Sequence, residues 1–306
     1  MGQITAGEVW TILGHGELIG SPETAVEGLN LCNRATEKSA ILSYATSDAY
    51  IGQVRENPAV RMLLVSAGHA AAYEPVLLER GGCLLVSGQP EADFYVVHEA
   101  LCARGGFYPV FDFLPWIGPD CRIHPSAVIE NGVVLGARVT VGPQSVIRSG
   151  TVIEDDVSIG CCSVIGSEGF QVIFREDGAP YCATHTGGVR LCDHVRVGDN
   201  VCIENSLFEG EVYIGHSTQI DNHVLIGHNS HIAENVVITG HCALCGTVAV
   251  ESGAWLGLKT TVLNRVTIGA YAKTGIGSVV TRDVPPHTLV YGVPAKPHEH
   301  GKEAEK

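Results

Sequence analysis

From Ile117 the chain places an aliphatic residue at every sixth position: Ile117, Ile123, Ile129, Leu135, Val141, Ile147, Ile153, Ile159 and Ile165. The phase is lost through a glycine-rich insertion, 166–188, and returns at Leu191, Val197 and Ile203. After a second slip it resumes at Ile214 and runs through Ile220, Ile226, Ile232, Ile238, Leu244, Val250, Leu256 and Val262 to Ile268. A period of six fits neither the 3.6 residues of a helical turn nor the two of a simple strand. It predicts a triangular solenoid in which each hexad supplies one flat side and one corner. The aliphatic residue points into the prism, and small or φ-permissive residues turn the corner. Three hexads close a coil of about eighteen residues, and coils stack at the sheet spacing of about 4.8 Å. The 22 matched hexads therefore predict roughly seven coils.

The sequence before the repeat is of another kind. Helical patterns at Glu8 to Leu13 and Phe94 to Leu101 alternate with short apolar runs at Met62 to Val65 and Cys83 to Val86. A stretch rich in Gly and Pro, Gly105 to Pro119, separates the two regions. The predicted organisation is a small α/β domain over 1–110 and a parallel β-helix over 111–284 carrying the insertion 166–188. A polar carboxyl-terminal tail over 285–306, expected to lack order at its end, completes the chain.

Composition narrows the function. Nineteen basic against 33 acidic residues give a formal charge of −14, which argues against binding nucleic acid, since nothing offsets phosphate repulsion over most of the surface. Hydrophobic residues at 45% and charged ones at 17% exclude a disordered polyelectrolyte. No run is long and apolar enough for a transmembrane helix, and Met1 to Trp10 lack the basic and apolar regions of a signal peptide. The expectation is a cytoplasmic chain whose eleven cysteines are reduced thiols.

Within the second run of repeats, Gln219 to Asn229 is unusually polar between its aliphatics. His228 falls two residues after the inward Ile226, near a corner, where a lone histidine is also compatible with a plain solvated residue. Gly246 lies eighteen residues on, one coil further, and so stacks beside it. A histidine to take a proton and a glycine N–H one coil away are what acyl transfer needs.

These residues also carry a resemblance. Gly227-His228-Asn229 resembles the active-site segment of the UDP-3-O-acylglucosamine N-acyltransferases of the lipid A pathway, within the hexapeptide-repeat acyltransferases. Thr5 to Gly20 resembles that family's first helix and turn, and Leu42 to Tyr50 its uridine-binding segment. Ile123 to Val128 resembles its entry into the β-helix, and Gly166 to Phe170 its Gly-x-x-Gly-Phe insertion. The similarity runs over roughly residues 3–280.

The resemblance implies a left-handed β-helix and N-acyl transfer from an acyl thioester, acyl-CoA or acyl carrier protein, to the amine of a nucleotide-linked amino sugar. His228 would be the general base, and the Gly246 N–H would hold the oxyanion. Tyr44 and Tyr50 would sandwich the uracil, although two tyrosines six apart also fit ordinary partial burial. Asp221 and Asn222 are corner polars that could orient His228, bind sugar hydroxyls or cap a turn. Asn229 and Phe170 belong to the implied substrate site, and no cofactor or metal is implied. A homotrimer is expected, with a groove between neighbouring prisms.

Three departures bear on the substrate. Ser47 stands where the family has Asn, so contacts to base or ribose differ. A second family histidine falls on Asn264-Arg265, leaving Arg265 as a candidate for the acyl donor instead. The ending Tyr291 to Lys296 resembles that of acetyl-CoA-dependent hexapeptide enzymes, which makes Lys296 a second donor candidate and puts acyl-CoA ahead of acyl carrier protein. Two other readings remain. His223 and His228, five apart, suit a γ-carbonic anhydrase-like zinc enzyme, and the repeat alone suits a binding β-helix without catalysis. Cys242-Ala243-Leu244-Cys245 lies inside a hexad, where cysteine serves as a small apolar residue.

Overall fold

The computed structural model describes residues 2–34, 36–174 and 177–298. The chain divides into two compact units, one of residues 2–110 with 171–186 and one of residues 111–170 with 187–298. Sequence contiguity placed the whole insertion 166–188 in the β-helix. The structure corrects this, because 171–186 folds with the amino-terminal unit.

That unit is α/β. Its five-stranded sheet runs in the order Glu17–Ile19, Cys83–Val86, Val60–Val65, Ile41–Ala45, Gly28–Leu29, with only the first strand antiparallel to its neighbour. Four helices accompany it: α1 (Ala6–Leu13), α2 (Ile51–Glu56), α3 (Ala67–Glu79) and α4 (Pro90–Arg104). Thr5 and Glu8 form a reciprocal capping box that starts α1. Ile41, Ala45, Leu63 and Val65 pack on one side with Val54, Tyr73 and Leu77 from α2 and α3. Tyr44, of opposite parity in its strand, packs its ring against Phe94 and Tyr95 of α4. The insertion contributes an antiparallel hairpin, Val172–Phe174 with Pro180–Cys182.

The second unit is the prism the hexads predict. Two-residue strands, longer where the insertions enter, form three parallel sheets; the first face begins at Trp116–Ile117, the second at Arg122–Ile123 and the third at Val128–Ile129. The hexad aliphatics from Leu135 to Ile268 are buried in a single core. There are eight coils rather than seven. The eighth breaks the aliphatic pattern because its inward residue on the second face is Thr274, buried and polar. Its hydroxyl is satisfied by Thr260 Oγ1 at 2.7 Å and the Gly257 N–H at 3.0 Å.

The corners work differently from the expectation. The glycine after the aliphatic is needed for close approach, not for an unusual φ: a Cβ on Gly142 would lie 2.6 Å from the Gly160 carbonyl oxygen of the next coil. The left-handed backbone falls three residues after the aliphatic, usually on a non-glycine residue such as Asn200, His223, Asn229, Thr247 or Arg265. Each such residue costs about 1–2 kcal/mol, a strain that the stacked coils sustain. Carboxylate and amide side chains cap the adjoining coil, as Asp155 Oδ1 does the Ala137 N–H (2.8 Å) and Asn222 Oδ1 the Asp199 N–H (2.7 Å). The predicted tail is also corrected. Leu289–Tyr291 extends the second face in parallel with Lys273–Thr274, and Lys296–His298 pairs back on it antiparallel. Residues 299–306, where lack of order was expected, lie outside the described residues.

Candidate active site

His228 follows the third-face strand Leu225–Ile226 and precedes the first-face strand His231–Ile232, which puts it on the corner between those faces. It is 9% exposed. Its backbone N–H donates to Glu204 Oε2 at 2.8 Å, and its Nδ1 lies 2.9 Å from Asn229 Oδ1. The Asn229 amide is itself fixed, with Oδ1 accepting the Leu207 N–H (3.2 Å) and Nδ2 donating to Ser206 Oγ (2.5 Å). An oxygen that faces Nδ1 requires a proton there. The neutral ring therefore carries its lone pair on Nε2. Burial pushes the Glu204 carboxyl above its ordinary value, against the opposing pull of the His228 N–H.

Gly246 lies one coil on in the same corner, since the Thr247 N–H donates to the His228 carbonyl at 2.7 Å. A methyl added at Gly246 would sit 2.6 Å from Cε1 and closer still to Nε2. Among the described residues the Gly246 N–H has no acceptor. The arrangement presents a basic nitrogen and a backbone donor at one point of the corner.

The other sequence candidates divide. Arg265 belongs to this corner, its N–H donating to the Gly246 carbonyl at 3.2 Å. Asp221 and Asn222 do not: they occupy the preceding corner, between the second and third faces, where Asn222 caps Asp199. Orientation of His228 falls to Asn229 instead. Lys296 sits on the second face, the side of the prism opposite the His228 corner. Phe170 is 73% exposed. His223 shares the corner of Asn222 and stacks on His241 with centroids 4.7 Å apart, so within one chain it does not converge with His228 as a zinc pair would. Among the described residues no three metal-ligating side chains cluster. Cys242 is buried and Cys245 exposed, and both are free thiols.

Tyr44 and Tyr50 are not brought together as a sandwich. The Tyr44 hydroxyl donates to Glu91 Oε1 at 2.9 Å on the α4 side, whereas Tyr50 packs against the cluster of Ile41, Ala45 and Tyr73 on the other side of the sheet. The Ser47 carbonyl accepts the Tyr73 hydroxyl at 2.6 Å.

Sequence reasoning missed Glu204, which accepts the His228 N–H, and Ser206, which holds the Asn229 amide. Ile203 pairs with Ile226, 23 residues apart, so the coil carries five more than eighteen and counting back by coils lands elsewhere.

Comparison with known proteins bears on this picture. The family profile described as bacterial transferase hexapeptide (six repeats) matches residues 115–149. The UDP-3-O-acylglucosamine N-acyltransferase of Caulobacter sp. (strain K31) is 32% identical over 111 residues, 36% of this chain and 32% of that protein. The chain spans about a quarter to a third of the length of the curated relatives it matches. The crystal structure of a UDP-N-acetylglucosamine acyltransferase from Bacteroides fragilis shares the fold at a TM-score of 0.53 and 17% identity, covering 62% of this chain and 71% of that one. The prism is thus a left-handed parallel β-helix, preceded in the chain by a small α/β unit. Residues 115–149 carry the hexapeptide repeat of bacterial transferases, and the resemblance to the hexapeptide-repeat acyltransferases, read first from short motifs such as Gly227-His228-Asn229, holds.

Proposed function

We propose that the chain is an N-acyltransferase moving an acyl group from an acyl thioester to the amine of a nucleotide-linked amino sugar. The observation that carries this reading is the His228–Gly246 corner: an imidazole whose Nδ1 is tied to Asn229, with its Nε2 against a glycine whose N–H has no acceptor among the described residues. In the reaction the amine attacks the thioester carbonyl while His228 Nε2 takes its proton. The Gly246 N–H donates to the oxyanion of the tetrahedral intermediate. Collapse expels the thiolate, which recovers the proton from the imidazolium, leaving amide and thiol.

The name of the Caulobacter relative, an acyltransferase for a UDP-linked acylglucosamine, supports a nucleotide sugar as acceptor. Acyl-CoA is the favoured donor over acyl carrier protein, with Arg265 on the same corner to meet its phosphates. The working form is a homotrimer. The outward positions of the third face, next to His228, are apolar at Val128, Val146, Val164, Leu225, Ala243 and Val279, a strip suited to burial against another copy. The setting is cytoplasmic, where such donors are held; no described helix is long and apolar enough to cross a membrane.

The test is thiol release from short and long acyl-CoAs against a panel of UDP-, dTDP- and GDP-linked amino sugars. Release that depends on both substrates and vanishes in His228→Ala supports the reading. No release from any pairing, by a protein that sediments as a trimer, overturns it.

A further inference from the structure

The amino-terminal unit holds two adjoining cavities that no part of the mechanism uses. The larger, about 780 Å³, lies between the end of α1, one side of α4 and the hairpin Val172–Phe174 with Pro180–Cys182. The smaller, about 360 Å³, opens at Thr46, just past the carboxyl end of the strand Ile41–Ala45, and runs over the start of α4. Gln89, Ala92, Ile173 and Phe174 line both, so the two meet at Phe174. The crevice beyond the carboxyl ends of parallel strands is where open α/β sheets take their ligands.

Phe174 leaves 64% of its surface exposed, an unfavourable place for a phenyl ring unless something covers it. The ring is not carried on a loose loop. Beyond the hairpin, the Thr184 N–H and hydroxyl both donate to Glu99 of α4 at 2.8 Å, and the Thr184 carbonyl accepts from His98 Nε2 at 2.7 Å. Polar atoms face the ring's surroundings. The Gln89 amide borders the same space, its Nε2 donating at 3.4 Å to Asp93, a buried carboxylate that also accepts from Ser87 Oγ and lies 3.4 Å from His15 Nε2. An exposed aromatic face beside an amide held in place by a buried carboxylate suits a flat ring with polar edges. Tyr44 is less suited to that task, its hydroxyl bonded to Glu91 and its ring packed on Phe94.

We propose that Phe174 is the stacking platform for a nucleobase, which lies in this double cavity with its edge toward Gln89. The inference rests on the nucleotide-sugar reading above and moves its base subsite from the two tyrosines to the hairpin. The probes are UMP, dTMP and GMP, titrated calorimetrically into the full-length protein and its Phe174→Ala and Phe174→Trp variants. Because the ring is exposed, neither substitution threatens folding. At least one nucleotide should bind the wild type, Phe174→Ala should weaken it about 5- to 150-fold, and Phe174→Trp should restore it to within a few-fold. Nucleotide binding that Phe174→Ala leaves unchanged, or that Phe174→Trp fails to restore, overturns the platform while the acyltransferase reading stands. A wild type that binds none of the three yet acylates a free amino sugar overturns both the platform and the nucleotide part of that reading. Weakened binding in Phe174→Ala by a protein that releases thiol from no pairing upholds the platform and sinks acyl transfer.

Discussion

The imidazole of His228 rests on Gly246, one coil away, so closely that a single methyl at Gly246 would meet the ring atoms Cε1 and Nε2. A base and an oxyanion donor are thereby set at one point by the stacking of coils rather than by a flexible loop. His228→Ala should lower kcat by about 10²–10⁴-fold with the thermal midpoint nearly unchanged, read by thiol release and circular dichroism. Gly246→Ala should be comparably damaging, because the added Cβ displaces the ring. Turnover within a few-fold of wild type in either variant would remove these residues from the mechanism.

Asn229 fixes which nitrogen of His228 is basic. Asn229→Ala should lower kcat about 10-fold or more while leaving the Michaelis constant of the thioester in place. Asn229→Asp puts a negative charge beside Nδ1 and favours the imidazolium. The acid limb of kcat/KM should then move to higher pH than in the wild type. A limb that stays put, or moves down, would show that Asn229 does not contact the reacting histidine.

Asn222 caps the adjoining coil on a different corner from His228. Asn222→Ala should cost about 1 kcal/mol of stability, seen as a thermal midpoint lower by a few degrees, with kcat/KM close to wild type. A large loss of kcat/KM at unchanged stability would return Asn222 to the substrate site.

His98 is fully buried between the Tyr108 hydroxyl (2.6 Å from Nδ1) and the Thr184 carbonyl (2.7 Å from Nε2). Burial holds its pKa below the ordinary 6.5, with the Thr184 carbonyl opposing. A base whose folded pKa is depressed contributes stability above its unfolded pKa and loses it as pH falls. The thermal midpoint of the amino-terminal unit should therefore be flat from about pH 8 to 7 and decline below about 6.5. His98→Gln should be less stable at pH 8 but lose most of that slope. A slope that persists in the variant would assign the titration to another group.

The left-handed corner residues show why one pattern can be read and its mechanics mistaken. Gly227 announces a corner in the sequence, yet the positive φ belongs to Asn229, and Gly227 is small because a Cβ would lie 2.7 Å from the Gly246 nitrogen. Thr274 hid the eighth coil because its hydroxyl is satisfied only by Thr260 and Gly257, partners that distance along the chain does not reveal.

A strict period sets its own geometry, so the sequence by itself determined the prism, its inward residues and the stacking of Gly246 on His228: eighteen residues bring a position back to the same corner. It equally determined that an α/β unit precedes the repeat. Only the tertiary structure decided what surrounds His228, because five extra residues between Ile203 and Ile226 break the count that would have led to Glu204 and Ser206. Tertiary structure alone also separated Tyr44 from Tyr50, since strand parity and helix packing, not spacing, send the two rings to opposite sides of the sheet. The same holds for Phe174, whose hairpin joins the amino-terminal unit from within the repeat by contacts between residues some 85 positions apart, such as Thr184 with Glu99.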